Sequence, residues 1–216
     1  MGDNNASARR SRPQPDVPAP HEGEQPRLIR QGDRVDLRDH LPGNRGAFIR
    51  WYQDPEVAGL LRHDLKPLTR RRAASYFASI ILPLANKGHC WAIHRHDNGQ
   101  LIGTAAVTNI NEKTRSCLFR ILLGEKDVWG QGFGTEASRL VAAEVFDTLP
   151  IDRIQLEVFT HNPRARRAYE RVGFREYDHY QETVQGTDTV IEIVAMELSR
   201  EALAPNVPNE QPVPCD

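Results

Sequence analysis

The chain has 216 residues, of which 39% are apolar and 26% are charged, and its formal net charge is −1 at pH 7. This composition fits one globular domain with a sizeable core, and a nearly neutral chain offers no field that would attract nucleic acid. No run approaches the roughly 20 apolar residues that a membrane-spanning helix needs, and the N-terminus carries no signal peptide pattern. We therefore expect a cytoplasmic protein without nucleic-acid or membrane partners.

The cysteines argue against a disulfide framework and against a metal site. Cys90, Cys117 and Cys215 are odd in number, widely spaced and outside any C-x-x-C pattern. The histidines also lack the spacing of metal ligands. We predict that no metal is bound, that Cys90 and Cys117 are buried within apolar runs, and that the compartment is reducing.

The first half of the chain is predicted to hold a tail, a strand and three helices. Residues 1–27 are polar and proline-rich, which predicts disorder, and the domain is expected to begin with one strand over 28–38. Short helices follow over 46–53 and directly after Asp54, which is placed as an N-cap. Thr69 caps a further helix, which we expect to end near Pro83 because proline cannot supply the helical hydrogen bond.

The second half alternates between strands and helices. Apolar and β-branched runs, the first two joined by a tight turn at Asp97-Asn98-Gly99, predict strands over 90–95, 101–108, 116–123, 153–160 and 189–198. Helical spacing predicts helices over 135–149 and 163–172. This order predicts an α/β fold with a mixed sheet over residues 28–199, followed by a proline-rich tail over 200–216.

The most informative segment is the glycine-rich turn Trp129-Gly130-Gln131-Gly132-Phe133-Gly134-Thr135. It places three glycines at the start of a helix, where backbone N–H groups and the helix dipole favour an anion. A Walker loop is excluded because no lysine follows, and the spacing is not that of a dinucleotide-binding turn. Two interpretations remain, a pyrophosphate cradle for coenzyme A and a turn that needs glycine only for its shape.

A second well-punctuated segment runs from Asn162 to Phe174. Asn162 is placed as the cap of a short helix, Pro163 in its first turn and Gly173 at its end. Tyr169 lies beside the inward stripe of this helix. On these grounds alone, Tyr169 is either a half-buried aromatic residue or a functional one.

Together and in this order, the two segments resemble the GCN5-related N-acetyltransferase (GNAT) superfamily. Its motif Arg/Gln-x-x-Gly-x-Gly/Ala is followed downstream by Asn and then by Tyr-x-x-x-Gly-Phe. The resemblance covers about residues 28–199 and is closest to the ribosomal-protein N-terminal acetyltransferases, which share the Trp-Gly-x-Gly-Phe-Gly-Thr-Glu-Ala pattern and an early Asp-Pro-Glu-Val. Trp129 departs from the general motif, because it cannot bind phosphate by charge.

The resemblance implies a mostly antiparallel sheet with flanking helices, in which two splayed strands admit acetyl-coenzyme A. Backbone groups of one splayed strand would hold the pantetheine arm, the N–H groups of the glycine turn would hold the pyrophosphate, and an asparagine would also contact pantetheine. The residues implied are, in that order, Ile121, Leu122 and Leu123; Gln131, Gly132, Phe133, Gly134 and Thr135; and Asn162.

The resemblance also implies that the chain transfers an acetyl group from acetyl-coenzyme A to a primary amine. Tyr169 matches the general acid that protonates the leaving thiolate. Glu157, twelve residues earlier, is our candidate for the base. It is equally well explained as a solvated strand glutamate, and in several relatives water carries the proton away. Glu136, at the start of the cofactor helix, is read as a complement to the helix dipole.

The acceptor is less well determined by the sequence. We expect it to bind near residues 46–68 and 108–115, a region that holds Trp51, Tyr52, His63, Asp64, Asn111 and Glu112. A peptide or protein N-terminal amine is favoured by the branch resemblance, with a polyamine, an aminoglycoside or a non-catalytic acyl-coenzyme A sensor as alternatives. A homodimer is an expectation from the family alone. The arginines of residues 164–171 are read as a solvated helix face, one of which reaches a phosphate.

Overall fold

The structure is a computed structural model that describes residues 26–203, and within them the chain forms one eight-stranded sheet. The strands lie in the order β1-β2-β3-β4-β5-β6-β8-β7, and every neighbouring pair is antiparallel except β5 and β6. Their bounds are Leu28–Gln31, Val35–Arg38, Cys90–Arg95, Leu101–Asn111, Ser116–Leu123, Arg153–Phe159, Arg175–Thr183 and Val190–Ser199 for β1 to β8. The predicted mostly antiparallel mixed sheet is confirmed.

Helices cover both faces of this sheet. Their bounds are Arg45–Gln53, Pro55–Leu61, Arg70–Tyr76, Leu82–Asn86, Phe133–Thr148 and Pro163–Val172 for α1 to α6, with single 3-10 turns at Pro42–Asn44, Lys126–Val128 and Arg200–Ala202. Helices α5 and α6 pack on the larger apolar core, which contains Ala137, Val141 and Val172. Helices α1, α2 and α3 pack on the opposite face around Phe48, Val57 and Ala73. The helices on the two faces of the sheet supply the two walls of the functional site.

The predicted helix starts are confirmed by their caps. Asp54 Oδ1 accepts the N–H groups of Glu56 and Val57 at the start of α2, and Thr69 Oγ1 accepts that of Arg72 at the start of α3. Each cap satisfies N–H groups that a helix leaves without partners at its first turn. The two early helices therefore begin where short polar side chains can close them.

Two predicted boundaries are wrong, and one strand is missing from the prediction. The expected strand over 28–38 is a hairpin, β1 and β2, because Gly32 turns the chain and its N–H donates to the carbonyl of Val35. The helix from Thr69 passes Pro83, since a wider π turn at Phe77–Ile81 places this proline in the first turn of α4, where no amide hydrogen is needed. Strand β7 was not predicted at all.

Both cysteines that the structure describes are buried, as expected. Cys90 and Cys117 are each 2% exposed, and burial raises the pKa of each thiol to about 12. Cys215 and most of the two predicted tails lie outside residues 26–203, and the division into tails and domain stays a prediction.

Candidate active site

The site is a cleft between β5 and β6. These parallel strands pair only where Ser116–Leu118 face Arg153–Gln155, and beyond that point they separate around a cavity of about 360 Å³. Ile121, Leu122 and Leu123 all line this cavity, on the edge of β5 that β6 leaves without a strand partner. An unpaired strand edge offers N–H and C=O groups to an extended ligand.

The glycine turn closes one end of the cleft. Gly130 and Gly132 have φ of 76° and 92°, a left-handed backbone that favours glycine, and α5 begins at Phe133. Within residues 26–203, no protein acceptor takes the N–H groups of Gln131, Gly132, Phe133, Gly134 and Thr135. The side chains of Gln131 and Phe133 turn elsewhere, to the carbonyl of Asp127 and to the core. The turn therefore presents backbone donors, the pattern of a helix N-terminus that binds phosphate.

The first hairpin holds this turn in place. Glu136 Oε1 accepts the N–H groups of Arg34 at 2.8 Å and Val35 at 3.3 Å. Arg34 Nη1 donates to the carbonyl of Gln131 at 2.5 Å. Glu136 lies in the first turn of α5, as the interpretation of it as a dipole complement requires, and it also ties α5 to the β1–β2 turn. No local pattern predicted that tie, because it joins residues about a hundred positions apart.

Helix α6 adds positive charge to the same end of the cleft. The guanidinium of Arg164 stacks on the Trp129 ring, 3.9 Å from its centroid, and Arg167 and Arg171 also line the cavity. Arg166 differs, because Glu170 and Glu176 pair with it. Among the described residues, the three cleft arginines have no carboxylate within 4.0 Å. Arg166 is thus paired with carboxylates, whereas Arg164, Arg167 and Arg171 form a positively charged wall of the cleft.

Asn162 and Tyr169 line the cleft from α6. Asn162 Oδ1 accepts the N–H of Ala165, so this predicted contact residue is also the helix cap. The Tyr169 ring packs edge-on against Phe119 and Phe174, with centroids 6.5 Å and 5.8 Å away. Burial raises the pKa of the Tyr169 hydroxyl. The phenol is consequently held as a proton donor at neutral pH.

Glu157 lies at the opposite end of the cleft, within a cluster that sequence patterns did not reveal. Tyr180 donates its hydroxyl hydrogen to Glu157 Oε1 at 2.8 Å, and His63 Nε2 lies 3.8 Å from Glu157 Oε2. His63 Nδ1 is 2.7 Å from Glu182 Oε2. Tyr180 and Glu182 belong to β7, the strand that was not predicted, and His63 had been placed only in the acceptor region.

A second cavity of about 480 Å³ opens beside the first, between the helices of the α1 face and the β7–β8 hairpin. His63, Arg120 and Ile121 line both cavities. Tyr52 and Asp64 line the second one, as expected for the acceptor region. Trp51 and Asn111 do not belong to it: Trp51 is buried in the core at 3% exposure, and Asn111 caps the β4–β5 turn.

The described residues fit a coenzyme A molecule. Its pyrophosphate would meet the unpaired N–H groups of the turn and the arginine wall, and its pantetheine arm would meet the open edge of β5. Ser138 Oγ, buried without a hydrogen-bond partner, lines the same cleft. Over residues 26–203, no three His, Cys, Asp or Glu side chains are grouped as metal ligands. No helix in that range is long and apolar enough to cross a membrane.

Comparisons with known proteins agree with this geometry. The family model described as an acetyltransferase (GNAT) domain matches residues 34–175. The uncharacterized N-acetyltransferase YoaA of Bacillus subtilis (strain 168) is 31% identical over 151 residues, which cover 68% of this chain and 83% of YoaA. The spermidine N(1)-acetyltransferase of Vibrio cholerae is 27% identical over 161 residues, 71% of this chain and 82% of that one.

A solved structure of spermidine N-acetyltransferase from Vibrio cholerae in complex with CoA and spermine has the same fold. Its TM-score is 0.67 at 18% identity, and the match covers 80% of this chain and 99% of that one. At this identity the likeness concerns the fold alone. The family match over residues 34–175 and the 31% identity with YoaA show that the chain belongs to the GNAT family of N-acetyltransferases.

Proposed function

We propose that this enzyme binds acetyl-coenzyme A across the β5–β6 cleft and transfers the acetyl group to an amine that enters from the second cavity. The observation that carries the proposal is the row of five unpaired N–H groups from Gln131 to Thr135, of which Gly132, Gly134 and Thr135 line one end of the cleft. Arg164, Arg167 and Arg171 reinforce it, since a pyrophosphate and a further phosphate need both donors and positive charge.

The residues along the cleft then have separate roles. Ile121, Leu122 and Leu123 hold the pantetheine arm along β5, with Asn162 facing it from α6. Tyr169 donates a proton to the departing thiolate, since it lines the cleft and its hydroxyl is protonated at neutral pH. Glu157 receives the ammonium of the acceptor, because it faces the cleft and no Lys or Arg pairs with it among the described residues.

Binding of acetyl-coenzyme A is the first expected result. A ligand that binds only the folded state raises its stability by about 2.7 kcal/mol at a hundredfold excess over the dissociation constant. Acetyl-coenzyme A and coenzyme A should both raise the melting temperature, and a Gly132→Val variant, which places a β-branched side chain at φ 92°, should lose most of the shift. A melting temperature unchanged by millimolar acetyl-coenzyme A contradicts the proposal.

The charges around the second cavity favour an acceptor with a single cationic nitrogen. Of its two lining carboxylates, Asp64 is paired with Arg62 at 2.6 Å and Glu182 with His63 at 2.7 Å. The Arg62 guanidinium holds the pKa of Asp64 below its usual range. Arg120 lines the same wall and has no carboxylate within 4.0 Å in the described chain. A polyamine would meet the unpaired cation of Arg120 in this cavity, and within residues 26–203 its nearest carboxylate without a Lys or Arg partner would be Glu157 of the adjoining cleft.

A peptide or protein N-terminal amine meets these conditions, since one ammonium is followed by neutral amides that Arg120 can donate to. This acceptor, the nearness to the ribosomal-protein branch, a homodimer and a cytoplasmic location all stay predictions. A polyamine or an aminoglycoside remains the alternative acceptor, and the Vibrio cholerae relative is named for spermidine.

Substitution of Arg120 tests which of these acceptors the enzyme uses. Arg120→Glu reverses the charge of the cavity wall and should raise kcat/KM for spermidine while lowering it for a peptide that begins with alanine, each by about tenfold, or 1.4 kcal/mol. Arg153→Glu is a matched control, because Arg153 is exposed and lies at the closed end of the β5–β6 pair. Initial rates of thiol release measure both variants. Wild-type preference for spermidine over the peptide would contradict the peptide proposal.

A further inference from the structure

Three titratable side chains from three separate elements meet where the two cavities join. His63 follows α2, Glu157 lies on β6 and Glu182 on β7. The His63 ring sits between the carboxylates, 2.7 Å from Glu182 through Nδ1 and 3.8 Å from Glu157 through Nε2. His63 lines both cavities, whereas Glu157 lines only the first and Glu182 only the second.

The hydrogen bond to Glu182 determines which ring nitrogen of His63 carries the hydrogen and which one has an available lone pair. In a neutral imidazole, the nitrogen that faces a carboxylate oxygen at 2.7 Å carries the hydrogen. Nε2 then presents a lone pair toward Glu157 Oε2, beyond hydrogen-bond distance. Two acceptors that face each other in this way have room for a donor between them.

An ammonium group fits that position. A nitrogen at 2.8 Å from both atoms would see His63 Nε2 and Glu157 Oε2, which are 3.8 Å apart, at an angle of about 85°. Two N–H bonds of one ammonium can serve both acceptors with modest bending. The other oxygen of Glu157 is already occupied by the Tyr180 hydroxyl at 2.8 Å, so Oε2 is the one that faces a ligand.

The surroundings hold the imidazole without competing for Nε2. The Phe159 ring packs edge-on against His63, with centroids 5.4 Å apart. The charged groups that face it are Glu157 of β6, Glu182 of β7, Arg120 of β5, and the Arg62–Asp64 pair of its own segment. The two ions of that last pair compensate each other.

We propose that His63, oriented by Glu182, is the catalytic base, and that Glu157 holds the acceptor ammonium beside it. This inference rests on the proposed function. Nε2 takes one proton from the ammonium, the freed lone pair forms the C–N bond, and the C–S bond breaks. The thiolate takes the Tyr169 hydroxyl proton, and the second proton released by the amine restores Tyr169. Imidazole suits the first step because its basicity is closer to neutrality than that of a carboxylate.

The test compares His63→Gln and Glu182→Gln with His179→Gln, an exposed control on β7. The probes are spermidine, kanamycin and a peptide that begins with alanine, each with saturating acetyl-coenzyme A from pH 6 to pH 10. For the fastest probe, His63→Gln should lower kcat about 100-fold near pH 7. The deficit should shrink toward pH 10, where more of the amine is already neutral. The dissociation constant of acetyl-coenzyme A should stay unchanged, which shows that the variant is folded.

Two further readouts separate a base from a structural contact. Added imidazole should restore part of the activity of His63→Gly, and Glu182→Asp should recover more activity than Glu182→Gln, as expected of a positioning residue. If wild type turns over but His63→Gln matches it at every pH, or imidazole gives no rescue, this inference falls and the proposed function stands. If wild type releases no coenzyme A with any probe, the proposed function falls and this inference with it.

Discussion

Replacement of Tyr169 by phenylalanine is expected to lower kcat by about 10²- to 10⁴-fold, the usual contribution of a positioned general acid. The phenylalanine ring keeps the edge-on contacts with Phe119 and Phe174, so that only the hydroxyl is lost. The dissociation constant of acetyl-coenzyme A should therefore change little, and kcat should fall together with kcat/KM, as for an interaction made only in the transition state. Single-turnover release of free thiol and equilibrium binding measure the two quantities.

The role of Tyr169 as an acid also predicts how the wild-type rate depends on pH. Because burial raises the pKa of Tyr169 above its usual value, the protonated, donating form persists to higher pH than that of an exposed tyrosine. The wild-type rate should consequently not fall as the pH approaches 10. Tyr177→Phe is the control, since Tyr177 is 51% exposed on β7. Full activity in Tyr169→Phe would show that Tyr169 is not the acid, whereas binding of acetyl-coenzyme A by the wild type without thiol release to any amine would favour a non-catalytic acyl-coenzyme A sensor.

The parts of the site that could be predicted from sequence are those that local backbone geometry encodes. Asn162 and Gly173 delimit α6 because a cap and a left-handed glycine each act within a few residues of their own position. The glycine turn is recognisable for the same reason, since Gly130 and Gly132 adopt a backbone that other residues avoid. These short-range signals place Tyr169 and the glycine turn that closes one end of the cleft.

The acceptor end could not be predicted in this way, because long-range pairing assembles it. Strand β7 is an exposed edge strand, and its nine residues carry no alternating apolar pattern that would mark it. Its pairing with β8 nevertheless brings Tyr180 to Glu157 and Glu182 to His63, across 23 and 119 positions of sequence. A sequence pattern that spans a few residues contains no information on such contacts.

The arginines of α6 show the same limit for charge. Arg166 and Arg167 are neighbours in sequence, yet Arg166 pairs with Glu170 and Glu176 while Arg167 faces the cleft. Trp129 stands where the general family motif has Arg or Gln, and the fold returns a cation to that place by stacking Arg164 on its ring. A cation thus lies beside Trp129 although the motif residue itself is not charged.

Substitution of Gly124 by alanine is expected to lower the free energy of unfolding by about 3 kcal/mol, at the upper end of the usual cost of overpacking. Gly124 follows β5 directly, and a Cβ there would lie 2.0 Å from Cγ of Trp51. The indole cannot move aside cheaply, because it is 3% exposed and its Nε1 donates to Glu125 at 2.9 Å. A urea midpoint lower by roughly 1 M, with an unchanged slope, is the expected measurement.

Gly59→Ala is the matched control and should have the opposite sign. Gly59 lies inside α2, and nothing stands within 4 Å of the Cβ that alanine would add there. Alanine should stabilise the chain by about 0.5–1 kcal/mol, since it restricts the unfolded state and favours the helix. The same methyl group therefore tests contact at one position and backbone entropy at the other. Equal midpoints for the two variants would mean that the Trp51 side chain yields to Gly124, and that the wall between β5 and α1 is softer than its burial implies.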